Sequence, residues 1–226
     1  MDWQFLDRSL QAFQDGFPTL ERTALVMSPI GDYQSHLFAA EQARCRQMTR
    51  ARALSFSTGR HCAHAALRAI DVTPVAIASK NRAPLWPDTV VGSITHSREI
   101  AACIAIIGSS EVAGVGIDIE QEGRIKAKLH RALFTDAERI QLESYSFDAA
   151  ALYFSAKEAA YKAIYPLGQK FIGFHEAVVQ VQPARRQFTV AYQGSDAGCS
   201  AMSSGTGFWR FWAGHVLTVF VIPQTD

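Results

Sequence analysis

The sequence predicts a mixed α/β (α+β) fold, and three features carry that expectation. Between Glu41 and Ile70, apolar residues recur at the three-and-four spacing of one helix face, as at Cys62, Ala65, Ala66, Ala69 and Ile70. Two apolar runs, "EIAACIAIIG" (99–108) and "EVAGVGIDIE" (111–120), have the length of buried strands and suit neighbours joined as a hairpin. Four strand-like segments then close the chain, "AVVQVQ", "RQFTVAYQ", "FWRFWAG" and "HVLTVFVIP", after a helix-rich stretch from about Lys126 that Pro166 is expected to stop. A midpoint near Gly108 divides the chain into halves, 1–108 and 109–226, each mixing helix and strand.

The remaining segments read as connectors. "DGFPT" and "SPIGDY" are turn-rich, and "STGR" at 57–60 is expected to open the first long helix. "NRAPLWPD" at 81–88 carries two prolines, which forbid helix and make it an extended approach to the short strand "TVVGSITHS". No short-period repeat or low-complexity tract interrupts this order.

Composition narrows the class of function. With 226 residues and 48% hydrophobic content the chain can bury a core of its own. Twenty-two basic residues against 21 acids give a net charge of +1, which announces neither a nucleic-acid partner nor an acidic tail. Four cysteines without a C-x-x-C pair argue against a disulfide framework or zinc ribbon and fit a reducing cytosol. A start without a basic, then apolar, leader and no apolar segment of spanning length give the expectation of a cytoplasmic protein with no membrane partner.

Against that ordinary background, five groups of residues stand out. In a strand, Asp118 and Glu120 of "VGIDIEQEG" point to the same face, where two anions repel unless a hard cation such as Mg2+ lies between them. In "FSAKEAAYKAIYP" (154–166), a helix places Glu158 on a stripe with Phe154, Tyr161 and Tyr165, with Lys162 one turn on. Glu158 would complete a three-carboxylate metal site, and Lys157 or Lys162 would neutralise phosphate; an exposed ion pair is the plainer account. Arg44, Arg46, Arg50, Arg52 and Arg60 form a cationic set, extended by Lys80 and Arg82, whose guanidinium forks suit phosphate oxygens. "GSITHS" gathers Ser93, Thr95, His96 and Ser97 in a loop after a strand, able to hold a phosphate but lacking the glycine-flanked elbow of a serine nucleophile. "HCAH" (61–64) offers only two well-placed histidines, short of zinc's four ligands.

Taken in order, "STGRHCAHAAL", "RAPLWP", "GSITHS", "GIDIE" and "FSAKEAAYKAIYP" resemble the 4'-phosphopantetheinyl transferases, of the larger single-chain type typified by the surfactin and enterobactin pathway enzymes. The resemblance spans roughly residues 50–175. It implies a monomer of two similar α/β halves related by a pseudo-twofold axis, with coenzyme A held between them. It also implies transfer of the phosphopantetheine arm to a serine of an apo acyl or peptidyl carrier protein, with release of adenosine 3',5'-bisphosphate. By the same resemblance Asp118, Glu120 and Glu158 hold Mg2+ (or Mn2+), and Lys162 pairs with phosphate. Arg52, Arg60 and His96 grip the 3'-phosphate and adenine end, while Lys80 or Arg82, Ser93, Thr95 and Lys157 belong to the same coenzyme A side. Glu158 is the expected general base, with Glu120 acting through a water on the metal as the competing assignment. A different Mg2+-dependent phosphoryl-transfer enzyme or nuclease uses the same carboxylates, and a nucleic-acid-binding module would use the arginines; both stay open at this level.

Overall fold

The computed structural model describes residues 22–81, 83–108 and 111–224. Arg82 thus lies outside the described residues, as does "DGFPT". The chain divides into two compact units, Met1–Ser109 and Ser110–Asp226.

In the first unit, strands β1 (Thr23–Pro29), β4 (Val90–His96) and β5 (Ile100–Ile107) form an antiparallel sheet in the order β1-β5-β4. Helices α1 (Ala39–Cys45) and α2 (Arg50–Ala69) lie between β1 and a two-residue hairpin, β2 (Ser79–Lys80) and β3 (Ala83–Pro84). Small residues on facing elements allow close packing: Ala63, Ala66 and Leu67 of α2 meet Ala101, Cys103 and Ala105 of β5 in one core.

The second unit repeats that plan and extends it. Strand β6 (Val112–Gln121) is followed by α3 (Ala127–Leu133), α4 (Asp136–Leu142) and the 20-residue α5 (Ala149–Gly168). Strands β7 (Ala177–Gln182), β8 (Gln187–Tyr192), β9 (Thr206–Trp212) and β10 (His215–Pro223) complete a sheet ordered β6-β10-β9-β8-β7. Each unit therefore runs strand, seven-residue helix, 20-residue helix and antiparallel pair, and the last strand returns beside the first. The two halves are alike in internal plan. An alanine face of α5 (Ala156, Ala159, Ala160, Ala163) fills the second core together with Val216, Phe220 and Ile222 of β10.

Five sequence expectations need correction. The helical stretch from Glu41 to Ile70 is two helices, broken where Thr49 takes an extended backbone (φ −60, ψ 153) before Arg50. "STGR" lies inside α2 rather than at its start. The Ser57 and Thr58 hydroxyls reach the Leu54 carbonyl one turn back and also bind the backbone at Gly31 and Tyr33 after β1, and Gly59 lets Ile94 approach. The runs 99–108 and 111–120 are not a hairpin: β5 pairs with β1 and β4, whereas β6 pairs with β10, a partner too distant in sequence for local pattern to reveal. Pro166 is accommodated in the last turn of α5, which ends where Gln169 turns left-handed (φ 51) and its N–H closes on the Tyr165 carbonyl. "GSITH" is strand β4 itself, not a loop after one.

Candidate active site

Strand alternation puts Gly114, Gly116, Asp118 and Glu120 on the face of β6 that receives α5. The glycines are needed there: a side chain on Gly116 would collide with the Ala159 carbonyl, and one on Gly114 with that of Ala163. By bringing the helix backbone down onto the strand, they carry Lys162 to Asp118. Its ammonium donates to Asp118 Oδ1 at 2.7 Å and to the Ile117 carbonyl at 3.1 Å. Beside Asp118 in register stands Thr218 of β10, whose hydroxyl donates to the Ser155 carbonyl at 2.9 Å and meets Ser155 Oγ at 2.8 Å. This clasp fixes α5 to the sheet one turn before Glu158.

The two strand acids are buried, at 4% exposure for Asp118 and 7% for Glu120, so they are not a solvated strand end. Burial raises the Glu120 carboxyl to about 7, with Asp118 and Glu158 pushing the same way and Arg124 and Lys162 opposing. Glu158 is raised as well, by burial first and then by Asp118. Arg124 Nη1 lies 3.0 Å from Glu120 Oε2. Among the described residues no three His, Cys, Asp or Glu side chains are drawn closely enough together to hold a metal ion. The acids turn instead toward Lys162 and Arg124. Their donor set nevertheless fits a hard divalent cation: three carboxylates within electrostatic reach, with Glu120 and Glu158 both raised by burial and by Asp118, form a site that a divalent charge would relieve.

In the first unit, α2 and β4 bring Arg52 and His96 together, with Arg52 Nη1 donating to His96 Nε2 at 2.6 Å. A guanidinium cannot accept, so His96 accepts at Nε2 and carries its proton on Nδ1. Arg60, one face further along α2, is buried. Its guanidinium lies over the Phe56 ring (4.8 Å), its Nη2 donates to Ser79 Oγ at 3.0 Å, and its Nε is 3.6 Å from Glu41 Oε1. Ser79 adjoins Lys80 on β2. The "APLWP" turn behind that hairpin is seated because Gly92 leaves room for Trp86, whose Cε2 would stand 2.6 Å from a side-chain carbon there. Ser93 and Thr95 do not join this group: they are buried on the face of β4 opposite His96, as alternation demands.

Lys157 is a second departure from the expected set. It is 2% exposed, and its ammonium donates to Glu138 Oε2 (2.8 Å), the Leu133 carbonyl (3.0 Å) and the Phe174 carbonyl (2.6 Å). Those three bonds use all its donors, which leaves none for phosphate. Lys157 fastens the end of α3 and the segment before β7 to α5. Sequence reasoning missed its partner Glu138, although "TDAE" is a capping-box signature and the Thr135–Glu138 box is formed. Arg124, Glu41 and the Ser155–Thr218 clasp were also missed, and no short-range pattern marks them.

Paired strand acids facing a lysine-bearing helix have the charges that polyphosphate chemistry uses, a cation-binding set beside an ammonium. Residues 40–106 match the family model of the 4'-phosphopantetheinyl transferase N-terminal domain, and residues 114–219 match that of the 4'-phosphopantetheinyl transferase superfamily. The chain is 32% identical over 199 residues to the 4'-phosphopantetheinyl transferase Svp of Streptomyces mobaraensis, covering 84% of this chain and 80% of that one. It is 32% identical over 180 residues to the 4'-phosphopantetheinyl transferase PptT of Mycobacterium tuberculosis, covering 74% and 78%. Among solved structures, the holo-[acyl-carrier-protein] synthase of Thermotoga maritima aligns at a TM-score of 0.41 and 16% identity, covering 51% of this chain and 66% of that one. The chain belongs to the 4'-phosphopantetheinyl transferase superfamily, enzymes that transfer phosphopantetheine from coenzyme A to carrier proteins.

Proposed function

We propose that this enzyme moves the phosphopantetheine arm of coenzyme A onto a serine of an apo acyl or peptidyl carrier protein in a Mg2+-dependent reaction that releases adenosine 3',5'-bisphosphate. The observation that carries the reading is the β6–α5 juncture, where Asp118 and Glu120 face the Glu158 and Lys162 turn. Asp118, Glu120 and Glu158 would hold the cation. When bound, Mg2+ supplies charge neutralisation of the pyrophosphate.

Residues of the chain do the rest by position and charge. Lys162 moves its ammonium from Asp118 toward the phosphate oxygens. The serine oxygen forms a bond to the β-phosphorus as the bridging P–O bond breaks, and the electron pair leaves with adenosine 3',5'-bisphosphate. Glu158 takes the serine proton; it is more accessible than Glu120, which Arg124 engages. In the first unit, Arg52, His96, Arg60 and Lys80 would hold the 3'-phosphate end of coenzyme A. Ser93, Thr95 and Lys157 are not part of this proposal.

Incubation with coenzyme A, Mg2+ and an apo carrier protein should add one phosphopantetheine to the carrier, read by intact mass. A panel of acyl and peptidyl carriers that all stay unmodified would refute the reading.

A further inference from the structure

The two units share a buried carboxylate clasp. In each unit the seven-residue helix that precedes the 20-residue helix carries a buried glutamate in its first turn: Glu41 in α1 and Glu138 in α4, both 2% exposed. One oxygen of each accepts the N–H just before its helix, Phe38 for Glu41 Oε2 and Thr135 for Glu138 Oε2. The other accepts a backbone N–H beyond the long helix, Ile77 for Glu41 Oε1 and Val179 for Glu138 Oε1. Each glutamate then faces a cation the same number of residues downstream on that helix, Arg60 or Lys157. Glu41 also meets His64 Nε2 at 3.2 Å.

The two copies differ in what the cation does next. Lys157 spends every donor on the fold, so the second clasp is structural. Arg60 has a larger fork, and only part of it is spent: Nε lies beside Glu41, one face rests on Phe56, and Nη2 reaches Ser79 next to Lys80. The same carboxylate oxygen that faces Arg60 holds the Ile77 N–H, two residues before Ser79. Glu41 therefore fixes both the arginine and the approach to the lysine hairpin.

We infer that Glu41 is a positioning residue for coenzyme A: it aligns Arg60 and the Ser79–Lys80 strand for the 3'-phosphate without touching the ligand. This rests on the proposed role of Arg60. The test compares dissociation constants of coenzyme A and dephospho-coenzyme A, which lacks the 3'-phosphate, by calorimetry with wild type, Glu41→Gln, Ser79→Ala and Arg60→Ala. Glu41→Gln keeps the shape and removes the charge. It should weaken coenzyme A about tenfold, the size of one charge-assisted hydrogen bond such as that of the Ile77 N–H to Glu41 Oε1, and leave dephospho-coenzyme A unchanged. Ser79→Ala, at the hairpin and less exposed to misfolding, should shift the same ratio in the same direction. If Arg60→Ala changes the ratio while neither other variant does, the inference falls and the Arg60 assignment survives. If Arg60→Ala weakens both ligands equally, both fall. A merely structural Glu41 predicts equal loss for the two ligands, which also overturns the inference.

Discussion

Glu120 shows how much a single residue's surroundings decide here. Its carboxyl is pushed from an ordinary 4.5 to about 7, by burial first and by Asp118 next. Between those values the folded protein binds a proton that the unfolded chain does not, so this group's stabilising contribution is complete below the lower value and is lost as pH rises through about 7. Cation binding has the opposite sense, because the oxygen must give up its proton to serve as a ligand. Mg2+ affinity measured by calorimetry should therefore strengthen as pH rises through about 7 and release protons on binding in that window. An affinity flat across the window would contradict the assignment of Glu120. That two acids shared a face was legible in the "GIDIE" alternation, but their burial was not, because the helix that covers that face, α5, and the strand that flanks it, β10, are both distant in sequence.

At the scale of elements, α5 holds one lysine spent on the fold and one proposed to act on phosphate, five residues apart, and charge pattern alone does not tell them apart. Lys157 satisfies Glu138 and two carbonyls in the interior, whereas Lys162 lies 27% exposed against Asp118. Replacing Lys157 by Met leaves Glu138 buried without its cation and should cost about 3–5 kcal/mol in denaturant unfolding. Lys162→Met, which removes a partly exposed ammonium, should cost less stability than that and remove most of the turnover. The contact between α5 and β6 is equally particular. Gly116→Ala forces a side chain into the Ala159 carbonyl, so helix and strand must separate. Mg2+ binding and transfer should both weaken, even in a variant that still unfolds cooperatively; unchanged Mg2+ affinity would show that the close approach does not set the site. The sequence displayed the glycines and the alanines, yet only the packed pair shows that they fit one another.

For the whole molecule, the mixed α/β class and the order of motifs were readable, because periodicity and turn chemistry are local. Strand pairing was not: β5 and β6 adjoin in sequence and belong to different sheets, and β4 carries hydroxyls that looked like a loop. The like plan of the two units was expected only through the family resemblance, since it lies in strand order and in the paired clasps of Glu41 and Glu138 rather than in repeated residues. No helix among the described residues is long and apolar enough to cross a membrane. Release of adenosine 3',5'-bisphosphate during carrier modification tests the proposed reaction most directly. One nucleotide per carrier modified, dependent on Mg2+, abolished by chelation and by Asp118→Ala, is the predicted result; equal release by the Asp118→Ala variant, or modification that continues after chelation, would contradict it.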